Sequence, residues 1–185
     1  SLDANQSGSN NVAFGINSLS SNTTASDNTA VGAGAMDGNT TGSRNTAVGR
    51  GALDLNTTAN NNTAVGYNCL DANTTGTENV SVGAFSMGAN STGGQNTALG
   101  ESALGNNTTA SKNTAIGKNA LVQNTTGSEN VAIGNEALEA NTTAANNTAV
   151  GHQALHDNST GARCTAVGTN ALADNTTANN NNAFG

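Results

Sequence analysis

The chain has 185 residues, 12 acidic against 5 basic side chains, a net charge of −7, and neither Pro nor Trp. Leu, Ile, Val and Phe together make up about 15% of it, below the roughly 20% that marks disorder by composition, and with one Tyr and three Phe a bulky globular core is excluded. The mild acidity sets aside a nucleic-acid partner, which needs a basic stripe for phosphate contacts, and no apolar run approaches the ~20 residues of a membrane span.

Residues 1–10 read as the tail of a repeat copy. The first complete copy starts at Asn11, and the unit is plainest in the next: Asn28-Thr-Ala-Val-Gly32, then Ala35-Met36, then Asn39-Thr-Thr-Gly42. Further starts fall at Asn45, Asn62, Asn79, Asn96, Asn113, Asn130, Asn147, Cys164 and Asn181, each step being 17 residues without insertion or deletion. Ten complete coils therefore span 11–180 and a partial one covers 181–185, which makes 1–185 a single repeat array. A fixed period of this kind signals stacked repeats. Disorder does not require apolar residues to be locked to a register, so the unfolded reading is rejected. The chain begins in mid-repeat and reads as a fragment of something longer; no signal peptide is visible.

Counting from the Asn, position 4 is Val, Ile, Leu or Phe, position 5 is Gly and position 12 is Asn in every copy. Position 9 is Leu or Met, position 8 is Ala, Ser or Cys, and positions 13–14 are mostly Thr-Thr. Steps of five and twelve residues between positions 4 and 9 make no helical stripe. Gly at a fixed interval beside β-branched residues favours short strands broken by turns. The expectation is an all-β, parallel β-solenoid (a β-roll) of 17-residue coils. One strand covers positions 1–5, a second short strand surrounds 8–9, and sharp turns fall at positions 5 and 15.

Stacking puts like residues above one another. The expected core columns are Val31, Val48 and Val65 at position 4 with Leu53, Leu70 and Leu121 at position 9. Asn39, Asn56, Asn73 and Asn124 at position 12 are expected to form an amide ladder. Alternation along the strand sets position 3 against positions 2 and 4. Position 3 is Ala in all copies but one, Ser81. Such constancy points to close packing by another copy of the chain, so Ala30, Ala47, Ala64 and Ala115 are the expected oligomer contacts. A thin core of this kind is commonly rescued by oligomerisation. Charges occupy variable positions and pair by column across rungs: Asp27 with Arg44, Glu101 with Lys118, Lys112 with Glu129.

NTAVGxxAL, and NVAIGNEAL at Asn130–Leu138, resemble the repeats of YadA-type trimeric autotransporter adhesin heads. They resemble more closely the arrays in the shafts of phage tail-fibre-like proteins and related bacterial surface fibres. The likeness covers essentially the whole chain, although its 17-residue period is longer than that of the adhesin heads. The resemblance implies a left-handed, homotrimeric extracellular rod at a cell surface or virion, with position 3 facing the partner chains.

Sites of chemistry are few. His152 and His156 occur in one rung and read as exposed imidazoles without a catalytic pocket, so no enzyme is expected. Asp37, Asp54 and Asp71 stack at position 10, where Ca²⁺ could bridge them. Without the calcium β-roll motif they read as separate exposed carboxylates, and no metal or cofactor is assigned. Asn-x-Ser/Thr from position 12 is a glycan acceptor pattern that an inward amide ladder would forbid. Neighbouring threonines such as Thr57-Thr58 cannot share a face, which argues against a two-file Thr plane for ice binding. Cys69 reads as a small buried residue and Cys164 as incidental, too far apart for a disulfide. The functional expectation is a non-catalytic shaft of a fibre or adhesin, partnered with itself and with flanking repeats. A self-assembling filament and an ice-binding solenoid are the alternatives.

Overall fold

Each copy closes one coil, and the reason lies in three positions that reverse the backbone. The computed structural model describes all residues 1–185. It contains no helix: eleven three-residue strands, from β1 (Val12–Phe14) and β2 (Thr29–Val31) to β11 (Asn182–Phe184), follow at 17-residue intervals. They form one parallel sheet in sequence order, with each residue paired to the one 17 places on, as Ala30 to Ala47 and Val31 to Val48. Eleven strands at ~4.8 Å make a rod roughly 50 Å long.

Between strands the chain turns through left-handed residues at positions 7, 9 and 17. Thirty non-glycine residues have positive φ, among them Leu53 (55°), Asn68 (44°) and Lys112 (62°), and none is Val, Ile or Thr. Left-handed backbone costs an L-residue roughly 1–2 kcal/mol and is worst for β-branched side chains. That rule explains why position 9 is Leu or Met while the extended position 4 takes Val and Ile. It also replaces the expected second strand: positions 8–9 are a turn, though still tied to the next coil, as Leu53 N–H to Cys69 C=O at 3.0 Å. Position 15 needs no positive φ and accepts Ala as readily as Gly.

Position 5 is different. Gly66 has φ +144°, and a Cβ there would stand 2.5 Å from the Gly83 carbonyl oxygen of the next coil. The glycines pack on one another's peptide groups, so the column admits nothing larger.

Most of the holding is done outside the strands. Of 123 backbone hydrogen bonds, 103 lie in the turns and connections, and most of these join one coil to the next. Two files of buried asparagine complete the set. At position 12, Asn56 Nδ2 donates to Asn39 Oδ1 of the preceding coil at 2.7 Å and to the Ala59 carbonyl at 3.1 Å. At position 1, the Asn45 backbone N–H donates to Asn28 Oδ1 at 2.9 Å, and Asn45 Nδ2 donates to that same Ala59 carbonyl at 2.9 Å. Asn39, Asn56, Asn73 and Asn124 thus form the expected ladder, fully buried, while the position-1 file was not expected. Where Cys164 replaces Asn, its N–H still donates to Asn147 Oδ1 and its thiol turns to the Ala178 carbonyl at 3.2 Å. Cys164 is therefore an integral buried residue, and both cysteines are free.

The core reverses one expectation. Leu53, Leu70 and Leu121 are fully buried, but so are Ala30, Ala47, Ala64 and Ala115, whereas Val48 is 36% exposed and Val31 and Val65 are only half-buried. Alternation fixes which residues share a face and leaves open which face is inside. A 17-residue coil encloses so little space that the position-9 leucine and the asparagine amides nearly fill it, and only Ala or Ser fits beside them at position 3. The constancy of position 3 reflects the coil's own interior, which removes Ala30, Ala47, Ala64 and Ala115 as oligomer contacts. The exception supports this: Ser81 is buried, with Cys69 Sγ 3.1 Å and Ser86 Oγ 2.9 Å from its hydroxyl, so three polar substitutions satisfy one another.

Replacing Asn107 by Ala leaves Asn90 Oδ1 without its 2.7 Å donor. The expected loss is at least about 2 kcal/mol, measured by denaturant unfolding, against less than about 0.5 kcal/mol for Thr109→Ala on the exposed side. Gly66→Ala is expected to cost more than about 2 kcal/mol, because strain and a backbone clash add.

Candidate functional site

The inversion of the strand leaves Thr at position 2 and Val at position 4 pointing outward, two residues apart and on one side. Across all eleven strands neither position carries a charge. Adjacent outward side chains stand ~7 Å apart along the strand and ~4.8 Å apart between strands, so the array covers about 350 Å² in plan. Exposed members include Val12, Val48, Val80 and Val82, with Phe14 and Phe184 in the terminal coils. Sequence reasoning misses this face because it assigns Val to the core. The clue available was composition: position 2 exchanges Thr for Val at Val12, Val80 and Val131, as a half-exposed sheet position does.

The threonines of positions 13–14 behave as alternation requires. Thr40 is half-buried with its Oγ1 donating to the Thr57 carbonyl at 2.9 Å, and only its neighbour Thr41 is exposed. The position-12 Asn-x-Ser/Thr asparagines from Asn22 to Asn158 are buried in the ladder, while Asn5 in the first coil is exposed and Asn175 in the last is half-buried. That geometry forbids a glycan on the buried ladder asparagines.

Charged columns flank the rod's other sides. Lys118 pairs with Glu101 at 3.2 Å and Lys112 with Glu129 at 3.5 Å, both exposed. Such pairs contribute a few tenths of a kcal/mol. Asp27 does not pair with Arg44; it accepts from Asn10, while Arg44 donates to Asn61 at 2.8 Å. Two exposed aromatics meet, Tyr67 and Phe85, edge to face at 5.2 Å, and Arg50 lies 5.6 Å over the Tyr67 ring.

Asp37, Asp54 and Asp71 do stack. Burial pushes the Asp54 carboxyl above its ordinary 3.8, and the charges of Asp37 and Asp71 add to the effect. Burial likewise raises Asp71, opposed by hydrogen bonds from its own and the Ala72 backbone N–H. Ser20 Oγ donates to Asp37. The group with ligand atoms close enough for one ion lies elsewhere: Glu136, Glu139 and His156. His156 is not a free exposed imidazole, since Asp157 holds Nδ1 at 2.6 Å and Glu139 stands 3.3 Å from Nε2. Burial disfavours its protonation, but the Asp157 hydrogen bond and the charges of Asp157, Glu139 and Glu136 outweigh burial and raise its pKa above 6.5.

No family model, curated protein or solved structure matches this chain.

A carboxyl whose pKa is higher in the fold than in the unfolded chain stabilises the fold below its unfolded pKa, and that contribution is lost as pH rises through the folded value. At pH 7 the charged Asp54 is therefore unfavourable. Asp54→Asn is expected to raise the melting temperature at pH 7, the margin shrinking on acidification and vanishing below the ordinary 3.8; thermal melts across this pH range measure it.

Proposed function

We propose that this chain is the shaft of an extracellular fibre or adhesin at a cell surface or virion. It would be a non-catalytic, left-handed rod in which three copies pack in register through the Thr/Val face. The observation that carries this reading is the file of outward Thr, Val and other apolar side chains that runs without a charge along the whole array. An exposed patch of a few hundred Å² marks an interaction surface. A strip repeating every ~4.8 Å over ~50 Å is matched by a partner with the same period and length, and another copy of this chain has both. Lateral packing would cover the half-exposed valines and stiffen the rod, which suits the holding of a distal tip.

A second reading has a specific observation in its favour. Thr and Val in two parallel files on a flat face also suit an ice surface, itself a periodic array. Under that reading the chain works alone.

In solution the shaft reading predicts a mass of three chains by light scattering. Val48→Glu combined with Val65→Glu is expected to reduce this to one chain with the β spectrum retained, because both side chains point outward. Ala47→Glu, directed into the core, is expected to abolish the fold instead. A native monomer defeats the shaft, and thermal hysteresis from that monomer would favour the ice binder.

A further inference from the structure

We propose that Glu136, Glu139 and His156 form a binding site for a first-row divalent metal ion, Zn²⁺ foremost, at the corner between two successive coils. Glu136 and Glu139 occupy positions 7 and 10 of one coil, and His156 occupies position 10 of the next. The 17-residue register brings these three places together in every coil, but this one alone fills all three with metal-ligand side chains.

The geometry is close to that of a bound ion. The three ligand atoms lie within 4.8 Å of one another, and His156 Nε2 is 3.3 Å from a Glu139 carboxylate oxygen. Two donors each ~2.1 Å from a tetrahedral ion stand roughly 3.4 Å apart. His156 and Glu139 are thus already at ligand spacing, and the widest separation has at most about 1.4 Å to close.

Two of the ligands are also held from behind. Asp157 takes the His156 Nδ1 at 2.6 Å and leaves Nε2 directed at Glu139. Gln153 Nε2 donates to a Glu136 carboxylate oxygen at 2.8 Å. Outer groups that fix a ligand's orientation in this way are a regular feature of metal sites. Three carboxylates surround one imidazole, and neither Lys nor Arg pairs with any of them, so a divalent cation would relieve their repulsion. An imidazole ligand and a set of three favour Zn²⁺ over Ca²⁺, which takes six to eight oxygens. A water would complete the tetrahedron. Because the ligands come from two coils, the ion would clamp one to the next.

His152, the other imidazole of the chain, sits outside the cluster and serves as an internal control. Titrating the untagged chain with Zn²⁺ is expected to bind one ion and shift the His156 ring resonances while leaving those of His152 in place. The melting temperature should rise, and Ca²⁺ should do neither. His156→Ala should abolish binding, Glu139→Gln should weaken it at least about tenfold, and Asp157→Ala should weaken it about 10–100-fold. Co²⁺ should give the absorption of a tetrahedral centre, altered in Glu136→Gln. All these substitutions are at the surface, and an unchanged far-UV spectrum checks each fold. No binding, an equal response of both imidazoles, or unchanged affinity in Glu139→Gln would overturn the site and leave only adventitious contact with a surface histidine.

Discussion

The fold depends on hydrogen bonds from each coil to the next, those of the buried asparagines above all. A chain with so little Leu, Ile, Val and Phe cannot close a core by apolar burial alone. Here 17 of the 55 buried residues are asparagine. The position-15 carbonyl receives both Asn side chains of its own coil, as Ala59 does from Asn45 and Asn56. Each amide oxygen then takes a donor from the following coil. The polar groups of the core are satisfied almost without exception; Asn141 Oδ1, where the position-12 ladder misses a link to Asn158, is the one left unpaired. In a low-dielectric interior a complete network of this kind fixes a register strongly, and an incomplete one is costly. That asymmetry accounts for a period that never slips.

The same constraint tolerates strain. Three left-handed residues per coil would be expensive in an isolated turn. Here each is held by its neighbours, as Leu53 is by its bond to Cys69 and by its buried side chain. The strained positions take residues without a β-branched side chain, Leu, Met and Asn foremost, and the extended ones take Val, Ile and Thr. Local propensity and global packing therefore agree position by position, which is what lets so polar a sequence specify one structure.

Function has to be sought on what the ladder leaves outside. A solenoid's interior is spent on stacking, so its variable or outward positions carry whatever individuality a coil has. The outward strand face is uncharged in every coil, Thr, Val or Asn at position 2 and an apolar side chain at position 4, and suits a partner as long as the rod. The Glu136–Glu139–His156 corner belongs to one coil and suits a single small ligand. These two surfaces lie on different parts of the coil and do not compete.

The sequence by itself determined the period, the parallel stacking, the absence of helix, the position-12 ladder, the leucine column at position 9 and two of the three charge pairs, because each is a property of register. It did not determine which side of the strand faces inward. Val48 and Ala47 alternate whichever way the coil closes, and the ordinary preference for burying the larger residue pointed the wrong way. Only the closed coil decides, because its width admits one Leu per turn beside two amides and leaves room at position 3 for a methyl group and little more. The outward Thr/Val face, the second asparagine file and the meeting of His156 with two glutamates follow from that closure, since each depends on where the turns carry side chains distant in sequence.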